Sequence, residues 1–293
     1  MIWDRNALGI MQGRLSTPYE GRIQCFPRDT WEDELALAPT IGLNSIEWIY
    51  DLFGEGVNPI ETDDGINLIK TLSHQHRVKI SSVCADWFID NPLIGVTPAE
   101  SISAFERLEW LLGRGRLLKI SRIVLPFVDN SAINTTTEIA EAKQTISKLL
   151  PLLHESAVEV HLETSLNPTT FAEFLDELKD PMVRVNYDIG NSASLGYNPR
   201  EEFAMYGHRI GSIHIKDRTL YGGTVPLGTG DADFGTVFDE LARLRYRGPF
   251  ILQVARGEPG DEIDYVNKTV DTVVSLFTNH RSDQSGLPRV TLW

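Results

Sequence analysis

Along the chain, short apolar runs alternate with longer stretches in which apolar residues recur every three or four positions. Eight short runs stand out: ALGIMQG (7 to 13), SIEWIY (45 to 50), KISSVCADW (79 to 87), RIVLPFV (122 to 128), VEVHLET (158 to 164), RVNYDIGN (184 to 191), SIHIKDR (212 to 218) and FILQVAR (250 to 256). The segments between them carry the helical period, as in TWEDELALAPTIG, SISAFERLEWLLGRGRLLKI and AEAKQTISKLLPLLHESA. Helix starts are marked too. Asn167 stands before Pro168 and Asp233 before Phe234, and both side chains suit the free N–H groups of a first helical turn.

Eight strand and helix alternations, with strands apolar on both faces, predict a parallel sheet covered by helices. A single α/β (β/α)8 TIM barrel uses all eight, and about 250 residues is its typical length. An open doubly wound sheet is the alternative. No composition break divides the 293 residues, so the barrel is expected over 1–280, followed by a C-terminal tail, 281–293.

Composition narrows the class. Hydrophobic residues at 42% and charged residues at 23% describe a soluble globular chain. No apolar stretch approaches the ~20 residues that span a bilayer, and MIWDRNALGIMQGR lacks a basic segment followed by an apolar core. The expectation is a cytoplasmic protein without a membrane partner. A formal charge of -14 opposes nucleic acid, whose affinity comes largely from Lys and Arg neutralising phosphates. Cys25 and Cys84 lack metal-ligand spacing, which excludes a cysteine zinc site. A homo-oligomer stays open.

Candidate chemistry collects at the C-terminal ends of the predicted strands, where such a barrel presents its functional groups. The fifth run ends in Glu163, the sixth holds Asp188, the seventh has His214 followed by Lys216, and the eighth carries Gln253. Four consecutive strands each offer an oxygen or imidazole ligand at comparable depth. That donor set suits a divalent metal, Mn, Mg or Co before Zn. Singly, each residue has a plainer use: a strand-end Asp caps turns, and a strand His is commonly a hydrogen-bonded core residue. Their joint placement on adjacent strands is what argues for a metal.

The motifs GIMQGRL, IEWIYD, VCADWF, HLET, NYDIGN and HIKDR with VPLGTGDADF run in that order over nearly the whole chain. They resemble the xylose-isomerase-like barrel superfamily of sugar isomerases, epimerases and inosose dehydratases, which also includes the type 2 apurinic endonucleases. HLET, YDIGN and HIKDR are the strongest pieces, because their spacing matches successive strands. The resemblance implies that Glu163 both binds metal and acts on a substrate proton, with Asp188 and His214 as further ligands. Those enzymes place a second glutamate at the fourth position, where this chain has Gln253. A glutamine can coordinate through its carbonyl but does not titrate, which counts against symmetric two-glutamate epimerisation.

The implied function is a divalent-metal-dependent isomerase or epimerase of a small sugar or sugar derivative, phosphorylated or not. It works by proton transfer through a metal-stabilised enediolate, with Glu163 as base. Lys216, on the same side of its strand as His214, is a candidate acid; a solvated strand-exit lysine is the plainer reading. A lyase dehydrating a keto-polyol on the same ligands, and a non-catalytic sugar-binding barrel, stay open. An endonuclease is disfavoured, since CADWF and LPFVDN lack the extra histidines it would need. Gln12, Arg14, Glu47, Asp86, Asn191, Arg218 and Arg256 are expected to face substrate at the same mouth. Their arginines suit a phosphate or carboxylate, or else pair with rim acids. His161 sits one layer below Glu163, and GTGDADFG reads as a flexible loop over the mouth rather than a dinucleotide fingerprint.

Overall fold

The computed structural model describes residues 7–282. Seven strands, β1 (Leu8–Met11), β2 (Ser45–Ile49), β3 (Lys79–Cys84), β4 (Arg122–Phe127), β5 (Glu159–Thr164), β6 (Val183–Asp188) and β7 (Ile210–Ile215), come first. A small antiparallel hairpin, β8 (Asp217–Arg218) with β9 (Thr224–Val225), precedes the last barrel strand, β10 (Phe250–Leu252). The barrel runs β1-β10-β7-β6-β5-β4-β3-β2 with parallel pairings, and β1 closes it against β10 from Leu8↔Phe250 to Ile10↔Leu252. This is the (β/α)8 barrel, and the open sheet does not form.

Helices α1 (Trp31–Leu37) and α2 (Asp63–His76) follow the first two strands; the short α3 (Trp87–Asp90) precedes α4 (Pro98–Leu118) and α5 (Thr136–Ser156). Then come α6 (Pro168–Glu177), the short α7 (Ile189–Ser194), α8 (Pro199–Tyr206), α9 (Phe234–Arg243) and α10 (Glu262–Ser282). Asn167 and Asp233 cap α6 and α9, accepting from Thr170 N and Thr236 N, both at 3.0 Å. Helix α4 starts earlier than the apolar period predicts, because Thr97 and Glu100 form a reciprocal capping box around Pro98. No helix among the described residues is long and apolar enough to cross a membrane. The expected tail, 281–293, lies outside the described residues beyond Ser282.

The strands were expected to be apolar on both faces, and the structure divides those faces by alternate position. Tyr187 packs edge-on against Phe203 of α8 at 5.0 Å, while its neighbours Asn186 and Asp188 join hydrogen bonds across the barrel. His161 and Glu163 on β5, and Ser212 and His214 on β7, do the same. A barrel interior that houses functional groups is polar, so the apolar residues between them carry the packing toward the helices. Phe250 of β10 shows that packing: it meets Phe277 of α10 at 4.9 Å, and Phe277 meets Phe238 of α9 at 4.5 Å. Each such buried aromatic contributes about 1.5–3 kcal/mol.

Candidate active site

The strand ends bring three groups together. Asp188 and His214 are register partners on β6 and β7, and Glu163 approaches from β5. Their ligand atoms lie within 4.8 Å of one another, and all three residues are buried. His214 Nδ1 is 3.3 Å from Glu163 Oε2 and 3.9 Å from Asp188 Oδ2, yet it is aligned for no hydrogen bond. Gln253 lies one residue past β10, held beside β7 by its N–H on Ile215 O at 3.0 Å. Its Nε2 donates to Gln24 Oε1 at 2.9 Å, and its Oε1 is buried without a partner. Unpartnered buried polar atoms are costly. An imidazole nitrogen set against two carboxylates, with an unpartnered amide oxygen at the next strand end, fits a divalent cation standing in place of the imidazole proton. Glu163, Asp188, His214 and Gln253 are the residues that would hold it.

Glu47 supports this cluster from below. It is fully buried on β2; one oxygen takes His214 Nε2 at 2.6 Å, and the other takes Ser82 Oγ at 2.6 Å and Arg122 Nη2 at 3.3 Å. A carboxylate behind the far nitrogen fixes the ring and presents Nδ1 outward, as in many metal sites. Burial alone would lower the His214 imidazole, but the Glu47 and Glu163 carboxylates outweigh it and push it up to about 10. The same surplus of carboxylate would be satisfied by a divalent cation. Burial also works to raise Glu47, and the His214 charge overrides it, holding the carboxyl down at about 2.

Two asparagines aim the Glu163 carboxylate. Asn186 Nδ2 donates to Oε2 at 2.7 Å and Asn191 Nδ2 to Oε1 at 2.6 Å. The Asn186 amide is itself oriented, since its Oδ1 accepts from Ser212 Oγ at 2.6 Å. Burial pushes Glu163 up, but His214, Lys216 and Asn186 outweigh it and hold the carboxyl below its usual range. Asp188 goes the other way: its burial exceeds the help of Lys216, whose Nζ is 3.3 Å from Oδ2.

The cluster opens into a cavity of about 520 Å³, lined among others by Arg14, Asp86, Glu163, Asn191, Lys216 and Gln253, with Arg218 on its rim. Three of the expected substrate contacts do not line it. Glu47 sits beneath His214; Gln12 is buried, with its Oε1 accepting from Ile49 N at 3.0 Å. Arg256 stands behind the loop after β1, donating to Ile23 O at 3.0 Å and Ser16 O at 2.9 Å. The chain turns away after Leu252, so Arg256 meets loop backbone rather than the cavity.

That first loop carries a residue the sequence did not single out. Gln24 accepts from Arg14 Nη2 at 2.9 Å as well as from Gln253, and donates to Asp86 Oδ2 at 2.6 Å. It ties together side chains from three strand ends. The loop is set by Gly13, whose φ of +80° favours glycine and where a Cβ would come within 3.0 Å of Cys25 O. Buried Glu34 of α1 then holds it, taking Gly13 N, Leu15 N and Ser16 Oγ at 2.6, 3.0 and 2.8 Å. The loop over the mouth that was read as flexible is likewise fastened: buried Asp217 accepts from Gly228 N, Gly230 N and Ala232 N at 2.8, 3.0 and 3.1 Å.

Fold and site together define a class: a (β/α)8 barrel whose strand ends gather a Glu, Asp and His group suited to a divalent ion. The profile of the xylose isomerase-like TIM barrel family matches residues 35–271, and the chain belongs to that family. It is 24% identical over 259 residues to the L-ribulose-5-phosphate 3-epimerase UlaE of Shigella flexneri serotype 5b, a match covering 84% of this chain and 89% of that protein. A solved structure of L-ribulose 3-epimerase aligns with a TM-score of 0.75 at 14% identity, covering 96% of this chain and 99% of the other. The IolI protein with a bound zinc atom gives 0.74 at 13% identity, covering 93% and 98%.

Proposed function

We propose that this protein is a divalent-metal-dependent isomerase or epimerase of a small sugar, with Glu163 as its proton-transfer base. The observation that carries the proposal is the state of Glu163: a buried carboxylate on the cavity wall, held ionised by aimed donors and a neighbouring imidazole. An ionised carboxylate fixed in this way can take a proton from the carbon beside a carbonyl. A divalent ion held by Glu163, Asp188, His214 and Gln253 would polarise that carbonyl and stabilise the charge developing on its oxygen. With three oxygen donors and one nitrogen, Mn²⁺, Mg²⁺ or Co²⁺ suits these residues before Zn²⁺. Lys216 Nζ, held by Asp188 and by Asn191 Oδ1 at 3.2 Å, faces the cavity as a donor to substrate oxygen.

Gln253 shapes the reaction. An amide cannot return a proton, so β10 supplies no second titrating carboxylate. Glu163 therefore removes the proton and gives it back, which favours transfer between adjacent carbons, aldose to ketose, over inversion at one carbon. The relatives' names, epimerases of ribulose and of its 5-phosphate, support the chemistry of proton removal beside a carbonyl. The test is NMR of ketoses and aldoses with the Mn²⁺-loaded protein in D2O. Deuterium entering carbon with the mass otherwise conserved is the expected result; a product lighter by one water would assign a lyase, and no exchange with any sugar would overturn the proposal.

A further inference from the structure

We infer that the cavity takes an unphosphorylated, uncharged polyhydroxy ketose rather than a sugar phosphate, which rests on the proposed reaction and adds the class of its substrate. A phosphate ester is held by free guanidinium or ammonium groups, a nest of backbone N–H groups or an open helix N-terminus. In (β/α)8 barrels these stand most often in the loops after the last two strands. Among the described residues of the cavity wall and the loops beside it, these devices are largely taken up from within the chain; the Lys216 ammonium, already held by Asp188 and Asn191, is the cation left facing it.

The arginines come first. Arg218 spends Nε and Nη2 on Gly222 O at 3.0 and 2.7 Å, and Nη1 on Asn191 Oδ1 at 2.8 Å. Arg256 is committed to the carbonyls of Ile23 and Ser16. Arg14 places Nε on Val254 O at 2.8 Å and Nη2 on Gln24, leaving only Nη1 without a partner. That nitrogen is itself buried, so Arg14 offers the cavity no free fork for the oxygens of a phosphate.

The backbone devices are filled by acids. The three amides of the loop between β9 and α9 converge on the Asp217 carboxylate, where an external anion would otherwise sit. Asp233 caps α9, and Asp188 caps α7 through Asn191 N at 2.8 Å. Two residues before α10, Gly260 N donates to the Glu262 carboxylate at 3.1 Å, and that carboxylate puts a negative charge in the first turn of the helix.

The opposite wall adds charge of the wrong sign for a dianion. Asp51, Asp86, Asp90 and Asp129 line the cavity beside Glu163, against the cations Arg14, Lys216 and Arg218. Asp90 and Asp129 are exposed and form no ion pair among the described residues. Among the described lining residues, even a divalent ion at the strand ends leaves no surplus of positive charge. Carboxylates with one lysine ammonium suit a chain of hydroxyls, which both donate and accept.

The test pairs free pentuloses and hexuloses with their terminal phosphate esters. Binding to the Mn²⁺-loaded protein is read by calorimetry, and exchange in D2O is read separately. The free ketose of a pair is expected to bind at least about tenfold more tightly than its ester. The Asp90→Asn, Asp129→Asn double variant should shrink that ratio several-fold. An ester that binds as well as its free sugar, a ratio unmoved in the double variant, or binding confined to esters would overturn the inference. Retained preference in binding without deuterium exchange would count against proton transfer alone, so the two failures are distinct.

Discussion

Glu47→Gln removes one charge from beneath the cluster while keeping the side chain's shape. The wild-type carboxylate serves three buried donors, His214 Nε2, Ser82 Oγ and Arg122 Nη2. A glutamine retains one oxygen, able to keep the His214 contact, and turns an NH2 toward Ser82 and Arg122. Ser82 can reorient to accept it, but Arg122, 3% exposed, loses its anion. Breaking one half of a buried ion pair costs about 3–5 kcal/mol, which sets the expected fall in folding stability. Metal binding is hit separately: a neutral amide behind the ring leaves the ligating imidazole less basic, and changing such an outer partner weakens a site by about 10–100-fold, or about 1.4–2.8 kcal/mol. Mn²⁺ affinity from chelator competition and urea denaturation of metal-free protein read the two effects apart. A stability loss with unchanged Mn²⁺ affinity would make Glu47 structural alone and would remove His214 as a ligand oriented through it.

Other outcomes follow from neighbouring contacts. Asn186→Asp removes a donor that holds the Glu163 carboxyl low and adds a like charge beside it, so both changes raise it. The base must be ionised to work, so the acidic limb of kcat/KM should move to higher pH by about one unit, with the alkaline limb unmoved; a pH–rate profile decides. Arg256→Ala strips two loop carbonyls of their donor and should cost about 1–3 kcal/mol. Hydrogen exchange in residues 16–24 should quicken, with KM rising more than kcat falls. Metal removal by a chelator should lower thermal stability, by about 2.7 kcal/mol where the ion had stood at a hundred times its Kd; an unmoved melting curve would argue against a bound ion.

The strands were legible because period and cap chemistry are local: Asn167 and Asp233 announce α6 and α9, and apolar runs mark every barrel strand. Glu163, Asp188 and His214 were readable as strand-end positions. What they meet was not. Glu47 and His214 are 167 residues apart, and only barrel closure puts one under the other. Gln24 lies in an irregular loop with no period to betray it, though it joins Arg14, Asp86 and Gln253. The glycines of GTGDADFG suggested freedom, whereas the Asp217 carboxylate eleven or more residues earlier collects their N–H groups. Arg256 was credited to the cavity on its nearness to Gln253 in sequence. The short β10, ending at Leu252, turns it outward.

In the proposed reaction Glu163 is the one carboxylate moving the substrate proton, with Gln253 a neutral partner. Deuterium incorporation from D2O into substrate carbon, measured by NMR on wild type, Glu163→Gln and Gln253→Glu at matched Mn²⁺ occupancy, tests it most directly. Exchange should be abolished in Glu163→Gln and preserved or broadened in Gln253→Glu. Exchange surviving in Glu163→Gln would contradict it and remove Glu163 as the base.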